Sequence, residues 1–283
     1  MTDDPKDQIR QLVHGMWAGV APQWGDHADT VDARGATQTE RLLAVVALSR
    51  GDRVLELACG PGGTGLAAAD QVGPDGEVVI SDVAEAMATI AGQRAAARGL
   101  GNVATAVLDI EAIEQPDESF DAVLCREGLM FAVAPDQAVG EIFRVLRPGG
   151  RAAASVWAPP ADNPWLGEML DAASAVLGMP MPPPGVPGPF SLADADLGAL
   201  LTAAGFADVE VEDVPVPHRT GSFDEYWNLT SDLAGPLASL LAGLDEETVS
   251  AIQDRVRAAF AAYTTDAGLD IPGVSRMVSG RRP

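Results

Sequence analysis

Five short apolar runs recur through the middle of the chain, and segments with helical spacing separate them. The runs cover residues 53–57, 77–81, 103–108, 120–124 and 151–157. Between two of them, residues 84–98 place Met87, Ile90 and Ala91 on one helical stripe that ends before Gly99. Neighbouring parallel strands need such crossover helices. The alternation therefore predicts an α/β fold, with a doubly wound, mostly parallel sheet and helices on both of its faces.

Charge and composition exclude several classes of function. The 283 residues include 41 acidic and 18 basic side chains, which gives a formal net charge of −23. Phosphate recognition needs basic surface, so we expect no nucleic-acid partner. Cys59 and Cys125 are too few for a disulfide framework or a structural zinc, and the isolated histidines predict no metal centre.

The sequence also bears on the location of the protein. No apolar run reaches the roughly 18 residues that a membrane span needs. The charged residues 1–10 are unlike a signal peptide. We therefore expect no membrane span and a cytoplasmic protein.

A glycine-rich segment, residues 54–65, follows the first apolar run and precedes a helical segment. Gly60, Gly62 and Gly65 spell G-x-G-x-x-G, and Asp82 lies 22 residues beyond Gly60. This spacing is typical of dinucleotide-binding loops, so an NAD-dependent oxidoreductase is one interpretation. A tight strand-to-helix turn without a ligand is another, because glycines alone show only that the backbone needs conformational freedom.

Carboxylates at the ends of three expected strands favour a different ligand. Glu56 would repel a pyrophosphate but attract an ammonium group. Asp82 can accept hydrogen bonds from two ribose hydroxyls, and Asp109 from an adenine amino group. S-adenosylmethionine carries all three kinds of donor. Each acid alone has an alternative role as a helix cap, but the three together with the glycine loop favour this cofactor.

Four motifs of the central region carry a resemblance to a known family. They are VLELACGPG at 54–62, ISDVAEAM at 80–87, SFDAVLCR at 119–126 and RVLRPGGR at 144–151. On these motifs the chain resembles the class I S-adenosylmethionine-dependent methyltransferases, in the branch of ubiquinone/menaquinone-biosynthesis and natural-product tailoring enzymes. The resemblance covers residues 41–157 and extends weakly to both ends.

The resemblance implies a Rossmann-like methyltransferase fold with seven strands, in which the last strand, 274–279, runs antiparallel beside 207–214. In this family the loop after the first strand holds the methionine part of the cofactor, the second-strand acid holds the ribose, and the residues after the third strand hold the adenine. These roles fall on Glu56, Ala58, Gly60, Gly62, Asp82, Asp109 and Ile110, with Val83 and Met87 against the adenine and Cys125 beside the methionine part. Ala58 departs from the family, because many members have glycine there.

The resemblance and the loop positions also divide the chain. Residues 1–38 are expected to form an N-terminal covering arm. Residues 39–216 and 273–283 are expected to form the cofactor-binding core, with a Pro-rich loop at 159–190. Residues 217–272 are expected to form a helical lid before the last antiparallel strand. The Pro-rich loop and the lid leave from the ligand edge of the sheet, so we expect both to fold over the cofactor.

Candidate catalytic residues lie in the covering segments and after the fourth strand. Glu127 is the first choice as general base, with His14 and His218 as alternatives. The expected acceptor pocket is mostly aromatic, although each of its residues is also explained as an ordinary core residue. Its members are Trp17, Trp24, Met130, Phe131, Tyr226 and Trp227.

These observations predict methyl transfer to a small hydrophobic acceptor, either a secondary metabolite or a quinone-like compound. Two alternatives remain at this point. One is an NAD-dependent oxidoreductase, and the other is a protein that binds S-adenosylmethionine without transferring its methyl group. The sequence predicts no oligomeric state.

Overall fold

A computed structural model describes residues 5–283, except for the side chains of residues 236 and 239, and most of its strands belong to one sheet. In chain order the strands are β1 (Arg53–Glu56), β2 (Glu77–Asp82), β3 (Val103–Val107), β4 (Phe120–Arg126), β5 (Leu146–Trp157), β6 (Ala207–Pro215), β7 (His218–Thr220), β8 (Thr264–Thr265), β9 (Gly268–Ile271) and β10 (Val274–Arg281).

The main sheet has seven strands in the order β3-β2-β1-β4-β5-β10-β6. The first five strands pair in parallel, and β10 runs antiparallel between β5 and β6. In the middle of the sheet Val54 of β1 pairs with Val78 of β2 on one side and with Ala122 of β4 on the other. The predicted α/β fold with a final antiparallel strand is therefore confirmed.

The described residues also form eleven α-helices. They are α1 (Pro5–Asp26), α2 (Ala28–Arg34), α3 (Ala36–Val46), α4 (Gly63–Val72), α5 (Glu85–Ala97), α6 (Pro135–Val145), α7 (Pro164–Leu177), α8 (Leu197–Ala203), α9 (Phe223–Leu233), α10 (Pro236–Ala242) and α11 (Glu246–Ala259). Of the stripe expected on α5, Met87 and Ala91 are at most 1% exposed and Ile90 is half-buried, and α5 packs on β2 and β3. Burial of such apolar stripes against a sheet is the main stabilising term for helices in water.

The N-terminal arm is helical rather than irregular. A single helix, α1, covers residues 5–26 and buries Val13, Val20 and Ala21. It packs against α5 of the core and against α9 and α10 of the expected lid. The arm thus bridges the cofactor-binding core and the lid.

The prediction of a Pro-rich loop at 159–190 is partly wrong, because this segment contains the 14-residue helix α7. Pro164 occupies the start of this helix, where proline is tolerated because no backbone donor is needed, and Gly178 ends it with φ 68°. Trp165, Leu166 and Met169 of α7 are buried. Residues 178–190, which include the proline cluster, form neither helix nor strand.

The expected lid contains a small sheet that the sequence did not predict. Strands β7, β9 and β8 pair antiparallel in that order, beside helices α9–α11. The start of α9 has the spacing of a capping box: Ser222 Oγ accepts a hydrogen bond from the backbone N–H of Glu225. The Glu225 side chain in turn accepts from the backbone N–H of Gly221.

Asn163 joins the end of β5, the start of α7 and the start of β10. Its fully buried side chain donates to the carbonyl oxygens of Ala158 and Val274, each at 2.9 Å. Its Oδ1 accepts from the backbone N–H of Val274 at 3.0 Å and from the indole N–H of Trp165 at 3.2 Å. One amide thus satisfies buried polar groups on three elements.

We expect Asn163→Ala to lower the free energy of unfolding by about 1–3 kcal/mol, because it leaves buried backbone groups without partners. Denaturant unfolding followed by circular dichroism measures this change. Asn228→Ala, an amide truncation on an exposed position of α9, is the matched control and should change stability by less than about 0.5 kcal/mol. Equal effects of the two substitutions would contradict the role assigned to Asn163.

Candidate active site

Two adjoining cavities lie at the carboxyl ends of β1–β4. The polar cavity, of about 120 Å³, is lined by residues 58–60, 82–83, 108–111 and 126–128, which follow or end the four strands, and by side chains of α1. The apolar cavity, of about 310 Å³, has walls made mostly of leucine, methionine, proline and tryptophan. The cavities share a wall formed by Trp17, Trp24, Arg34, Glu127 and Phe131.

The glycines of residues 54–65 have different tasks. Gly60 lines the polar cavity with φ 52°. A Cβ atom on Gly62 would lie 2.8 Å from that of Ala91 on α5, and one on Gly65 would lie 2.3 Å from Oε2 of Glu56. Gly62 and Gly65 therefore allow α4, α5 and β1 to pack closely, and of the three only Gly60 faces the cavity.

Ala58 lies in the left-handed region with φ 51°, where the family commonly has glycine. Its methyl group occupies space next to Gly128, because a Cβ atom on Gly128 would lie 2.3 Å from that of Ala58. The absence of a side chain at position 128 thus makes room for the methyl group at position 58.

Asp82 ends β2 at the wall of the polar cavity. Its Oδ2 accepts from the backbone N–H of Gly60 and its Oδ1 from that of Ala84, each at 2.9 Å. Burial raises the pKa of Asp82 to about 6, while these backbone donors oppose the rise. A carboxylate has about four acceptor positions, so Asp82 retains capacity to accept hydrogen bonds from a ligand.

Residues after β3 meet α1 at the other end of the polar cavity. His14 Nε2 lies 3.6 Å from Oδ2 of Asp109, and both residues line the cavity. Arg10 donates from Nε and Nη2 to Oε2 of Glu111, at 2.9 and 2.7 Å. Glu111 is only 3% exposed, and its other oxygen accepts from the backbone N–H groups of Val133 and Ala134. This ion pair fixes α1 over the cavity.

Glu127 lies directly after β4 on the wall shared by the two cavities. Its φ of 58° is uncommon for a residue with a side chain and belongs to the sharp turn after β4. Gln38 Nε2 donates to its Oε1. Burial raises the pKa of Glu127 to about 7, although the charges of Arg126 and Arg34 oppose the rise. A carboxylate with such a pKa can exchange a proton near neutral pH.

Three aromatic rings form much of the shared wall. Trp17 packs edge to face on Phe131, with ring centroids 4.9 Å apart, and on Trp24 at 5.7 Å. The indole N–H of Trp24 donates to the carbonyl oxygen of Leu233, which connects α1 to α9. These rings bring an apolar surface to the junction of the two cavities.

Comparison with known proteins identifies the family. A family model described as a methyltransferase domain matches residues 54–150. The ubiquinone/menaquinone biosynthesis C-methyltransferase UbiE of Ectopseudomonas oleovorans is 38% identical over 151 residues, which are 53% of this chain and 89% of that protein. The chain belongs to the class I S-adenosylmethionine-dependent methyltransferase family.

Other relatives share less of their length with this methyltransferase. The UbiE protein of Hydrogenovibrio crunogenus is 40% identical over 102 residues, which are 36% of this chain and 40% of that protein. The UbiE protein of Pseudomonas putida is 35% identical over 151 residues, which are 53% and 59% of the two chains. The chain thus spans between two fifths and three fifths of the length of these two relatives.

Solved structures support the fold. The YcgJ protein of Bacillus subtilis superposes with a TM-score of 0.58 at 21% identity, covering 86% of this methyltransferase and 97% of that chain. The [4+2]-cyclase SpnF superposes with a TM-score of 0.54 at 24% identity, covering 87% and 80%. At these identities the superpositions show a common fold alone.

S-adenosylmethionine is the cofactor of this family, and the wall of the polar cavity carries acceptor groups that match its ribose and its adenine. Seven of the residues predicted for the cofactor line this cavity: Ala58, Gly60, Asp82, Val83, Met87, Asp109 and Ile110. They combine two carboxylates with apolar side chains, which suits a ligand with ribose hydroxyls and a flat adenine ring.

Three predicted cofactor residues lie off the wall of the polar cavity. The side chain of Glu56 is 2% exposed and is directed at Gly65 of α4, where the backbone N–H stabilises it and Oε2 has no hydrogen-bond partner. Gly62 packs against α5, as described above. Cys125 is buried among apolar side chains of β4 and β5, and burial raises its pKa to about 12. Cys59 lines the polar cavity instead.

The predicted roles of His218, Tyr226 and Trp227 at the site are corrected by the structure, because none of the three lines either cavity. His218 stacks on Trp165 with centroids 5.1 Å apart, and burial lowers its pKa to about 3. Tyr226 is fully buried and donates to the carbonyl oxygen of Trp165. Helix α9 turns Tyr226 and Trp227 toward the core and presents Thr230 and Leu233 to the apolar cavity instead.

The covering segments line different cavities. Side chains of α1 line both cavities, whereas the proline cluster, α9 and α10 line only the apolar cavity. Met130 likewise lines the apolar cavity alone. The Pro-rich loop and the lid, which were expected to fold over the cofactor, thus line the apolar cavity, and the N-terminal arm lines the polar cavity.

Sequence reasoning missed five polar residues of the site: Arg10, Arg34, Gln38, Glu111 and Arg126. Three of them lie on the N-terminal helices, which carry no motif. Glu111 and Arg126 stand beside Asp109 and Glu127, which were predicted from their positions after the third and fourth strands, and Arg126 also ends the motif at 119–126.

Two further properties concern the part of the chain that the structure describes. No group of three or more histidine, cysteine or acidic side chains there could hold a metal ion. No described helix is both long and apolar enough to cross a membrane.

We expect Asp82→Ala to weaken binding of S-adenosylhomocysteine by about 10- to 150-fold, since hydrogen bonds to a charged group contribute about 1.5–3 kcal/mol. Isothermal titration calorimetry measures the affinity, and thermal unfolding checks that the variant folds. Asp75→Ala, on an exposed turn after α4, is the matched control and should keep the wild-type affinity. Wild-type affinity in the folded Asp82 variant would remove this residue from the site.

A second prediction concerns Glu56, whose pKa burial raises to about 8. The folded protein keeps this proton between pH 4.5 and 8 while the unfolded chain releases it, so the contribution of Glu56 to stability is greatest at low pH and is lost as pH rises to 8. The slope approaches 1.4 kcal/mol per pH unit. Glu56→Gln cannot ionise, so its free energy of unfolding should fall less steeply.

Denaturant unfolding of the cofactor-free protein at pH 5, 6, 7 and 8 tests this prediction. Asp82 and Glu127 contribute to the slope in both proteins, so the difference between wild type and Glu56→Gln isolates Glu56. The exposed substitution Glu114→Gln serves as control and should run parallel to wild type. Parallel curves for Glu56→Gln as well would contradict the raised pKa.

Proposed function

We propose that this methyltransferase methylates a small hydrophobic acceptor bound in the apolar cavity, with Glu127 as general base. One observation supports the proposal: Glu127 lies on the wall that the two cavities share. An ionisable group there can remove a proton from an acceptor that faces the cofactor.

The size and chemistry of the apolar cavity support this class of acceptor. Its walls include Leu166, Leu170, Met181 and Val186, with Arg34 and Glu127 as the charged members among the described residues. An apolar cavity of about 150 Å³ binds benzene, so the 310 Å³ available here has room for about two fused rings. Aromatic secondary metabolites and quinone-like compounds both match this description.

The relatives support the same class but do not specify the acceptor. Their names describe carbon methylation in ubiquinone and menaquinone biosynthesis. The family match ends at residue 150, whereas α7, the proline cluster, α9 and α10 lie beyond it and line the apolar cavity. We therefore propose the acceptor class from this cavity and leave the methylated atom open.

The cofactor supplies a methyl group on a positively charged sulfur that is already activated for transfer. The protein's tasks are to bind, to orient and to exclude water, which together contribute several kcal/mol in favourable cases. In our proposal Asp82 accepts hydrogen bonds from the ribose, and Asp109 with Ile110, Val83 and Met87 holds the adenine. Ala58 and Gly60 lie beside the methionine part.

The aromatic wall and the N-terminal arm complete the proposed site. Trp17, Trp24 and Phe131 keep water from the reacting atoms and offer ring faces that attract a cationic sulfur. The ion pair of Arg10 with Glu111 keeps α1 over the bound cofactor. The net charge of −23 favours a small acceptor over a nucleic acid. A cytoplasmic location remains a prediction from the sequence.

We expect Glu127→Gln to lower kcat by about 10²–10⁴-fold while S-adenosylhomocysteine affinity stays within a few-fold of wild type. In the wild type, kcat should rise with pH through about 7, because the base must be ionised, and level off above it. The variant should lack this rise. The measurement is methyl transfer from labelled S-adenosylmethionine to a panel of hydroxylated aromatic compounds across pH 5–9.

Glu114→Gln is again the control, and it should keep both the rate and the pH profile of the wild type. Retention of the rise near pH 7 in folded Glu127→Gln would assign the base to another residue. Cofactor binding without transfer to any compound in the panel would favour the alternative of a protein that binds S-adenosylmethionine without methylating.

A further inference from the structure

Arg34 places a cation at the apolar cavity. It ends α2, and among the described residues it is the one basic side chain on the wall of this cavity. Its guanidinium carbon lies 5.2 Å from the ring centroid of Trp165. Burial lowers the pKa of Arg34, and the negative charge of Glu127 opposes this effect. Arginine nevertheless stays protonated in proteins, so the wall carries a positive charge.

The hydrogen-bonding capacity of Arg34 is unused within residues 5–283. The neighbouring Arg126 donates to Thr39, and Arg10 donates to Glu111. Arg34 has five N–H donors, and none of them forms a hydrogen bond with another described residue. Arg34 is half-buried, and a partly desolvated cation without hydrogen bonds is costly for a fold. Such a group is expected where a ligand supplies the missing acceptor.

Glu127 faces the same junction with the opposite charge. The two side chains interact electrostatically, yet no ion pair within 4 Å joins them among the described residues. Gln38 already donates to Oε1 of Glu127. The wall thus offers a proton acceptor and a separate cation to one ligand atom lying between them.

We propose that Arg34 determines acceptor specificity by binding the ionised oxygen of the acceptor, and that the acceptors are hydrophobic compounds with an acidic hydroxyl group, a phenol or an enol. This inference rests on the proposed function. An aromatic amine is uncharged near neutral pH and supplies no anion to the guanidinium, and a protonated amine would be repelled, whereas an oxygen anion gains charge-assisted hydrogen bonds. Arg34 therefore selects hydroxyl-bearing acceptors over amines of the same shape.

The proton and electron balance of this step is complete. The hydroxyl proton moves to the carboxylate of Glu127, and Arg34 holds the resulting oxygen anion. An electron pair of that oxygen, or of a ring carbon conjugated with it, forms the new bond to the methyl carbon. The electron pair of the broken carbon–sulfur bond returns to sulfur, which becomes neutral. When carbon is methylated, the displaced ring proton leaves and restores the hydroxyl.

Binding of three probes to the protein saturated with S-adenosylhomocysteine tests the inference without requiring turnover. The probes are 1-naphthol, naphthalene and 1-naphthylamine, which share a two-ring shape and differ in the polar group. We expect wild type to bind 1-naphthol at least tenfold more tightly than the other two. In Arg34→Gln the three affinities should agree within about threefold, and Arg34→Lys should retain part of the preference.

Arg255→Gln, an exposed arginine on α11, is the matched control and should keep the wild-type preference. S-adenosylhomocysteine affinity and circular dichroism verify that each variant folds, and Arg34→Lys provides the readout if Arg34→Gln does not. A naphthol preference that persists in Arg34→Gln, or that is absent from wild type, overturns the role of Arg34 but leaves the apolar acceptor site standing. Failure of wild type to bind any of the probes rejects both the acceptor site and the role of Arg34.

Discussion

Parallel pairing of β1 with both β2 and β4 is the constraint on which the rest of the structure depends. Parallel strands bring their carboxyl ends to one edge of the sheet, so side chains that are far apart in sequence meet there. Asp82, Asp109 and Glu127 reach the polar cavity in this way, together with the glycine loop after β1. The sheet leaves this edge open, and the N-terminal helices cover it: Trp24 of α1 lies over Gly60, and Arg10 ties the helix to Glu111.

Desolvation determines the pKa values of the acids in the site and also the free energy that their burial costs the fold. Burial raises the pKa values of Glu56, Asp82 and Glu127 to about 8, 6 and 7, so near neutral pH these acids carry less than their full charge. This burial reduces the stability of the fold at higher pH. It also brings the pKa of Glu127 into the range of a useful general base. Arg126 limits the effect, because its positive charge lowers the pKa of both Glu56 and Glu127.

The sequence was most informative where local chemistry and topology coincide. Alternating apolar runs predicted the sheet, and strand-end positions located Asp82, Asp109 and Glu127, because these features depend on local spacing and on the rules of parallel pairing. Predictions failed where tertiary packing decides. Helix α9 is oriented so that Tyr226 and Trp227 are buried in the core. The side chain of Glu56 lies beside Gly65 and not on the wall of the cavity. No local pattern could have indicated that α1 rather than the inserted helices lines the polar cavity, since that depends on contacts between residues more than 100 positions apart.

The contact between Ala58 and Gly128 makes two distant positions a single steric unit. Only one of the two loops can carry a methyl group, because Cβ atoms on both would be 2.3 Å apart. The backbone of Gly128 is in the ordinary right-handed region with φ −103°, so crowding by Ala58 and by the thiol of Cys125, rather than backbone strain, keeps a side chain out. A substitution that adds a side chain at position 128 therefore requires that position 58 has first become glycine. The residues that position 128 of this enzyme can accept thus depend on the residue already present 70 positions earlier.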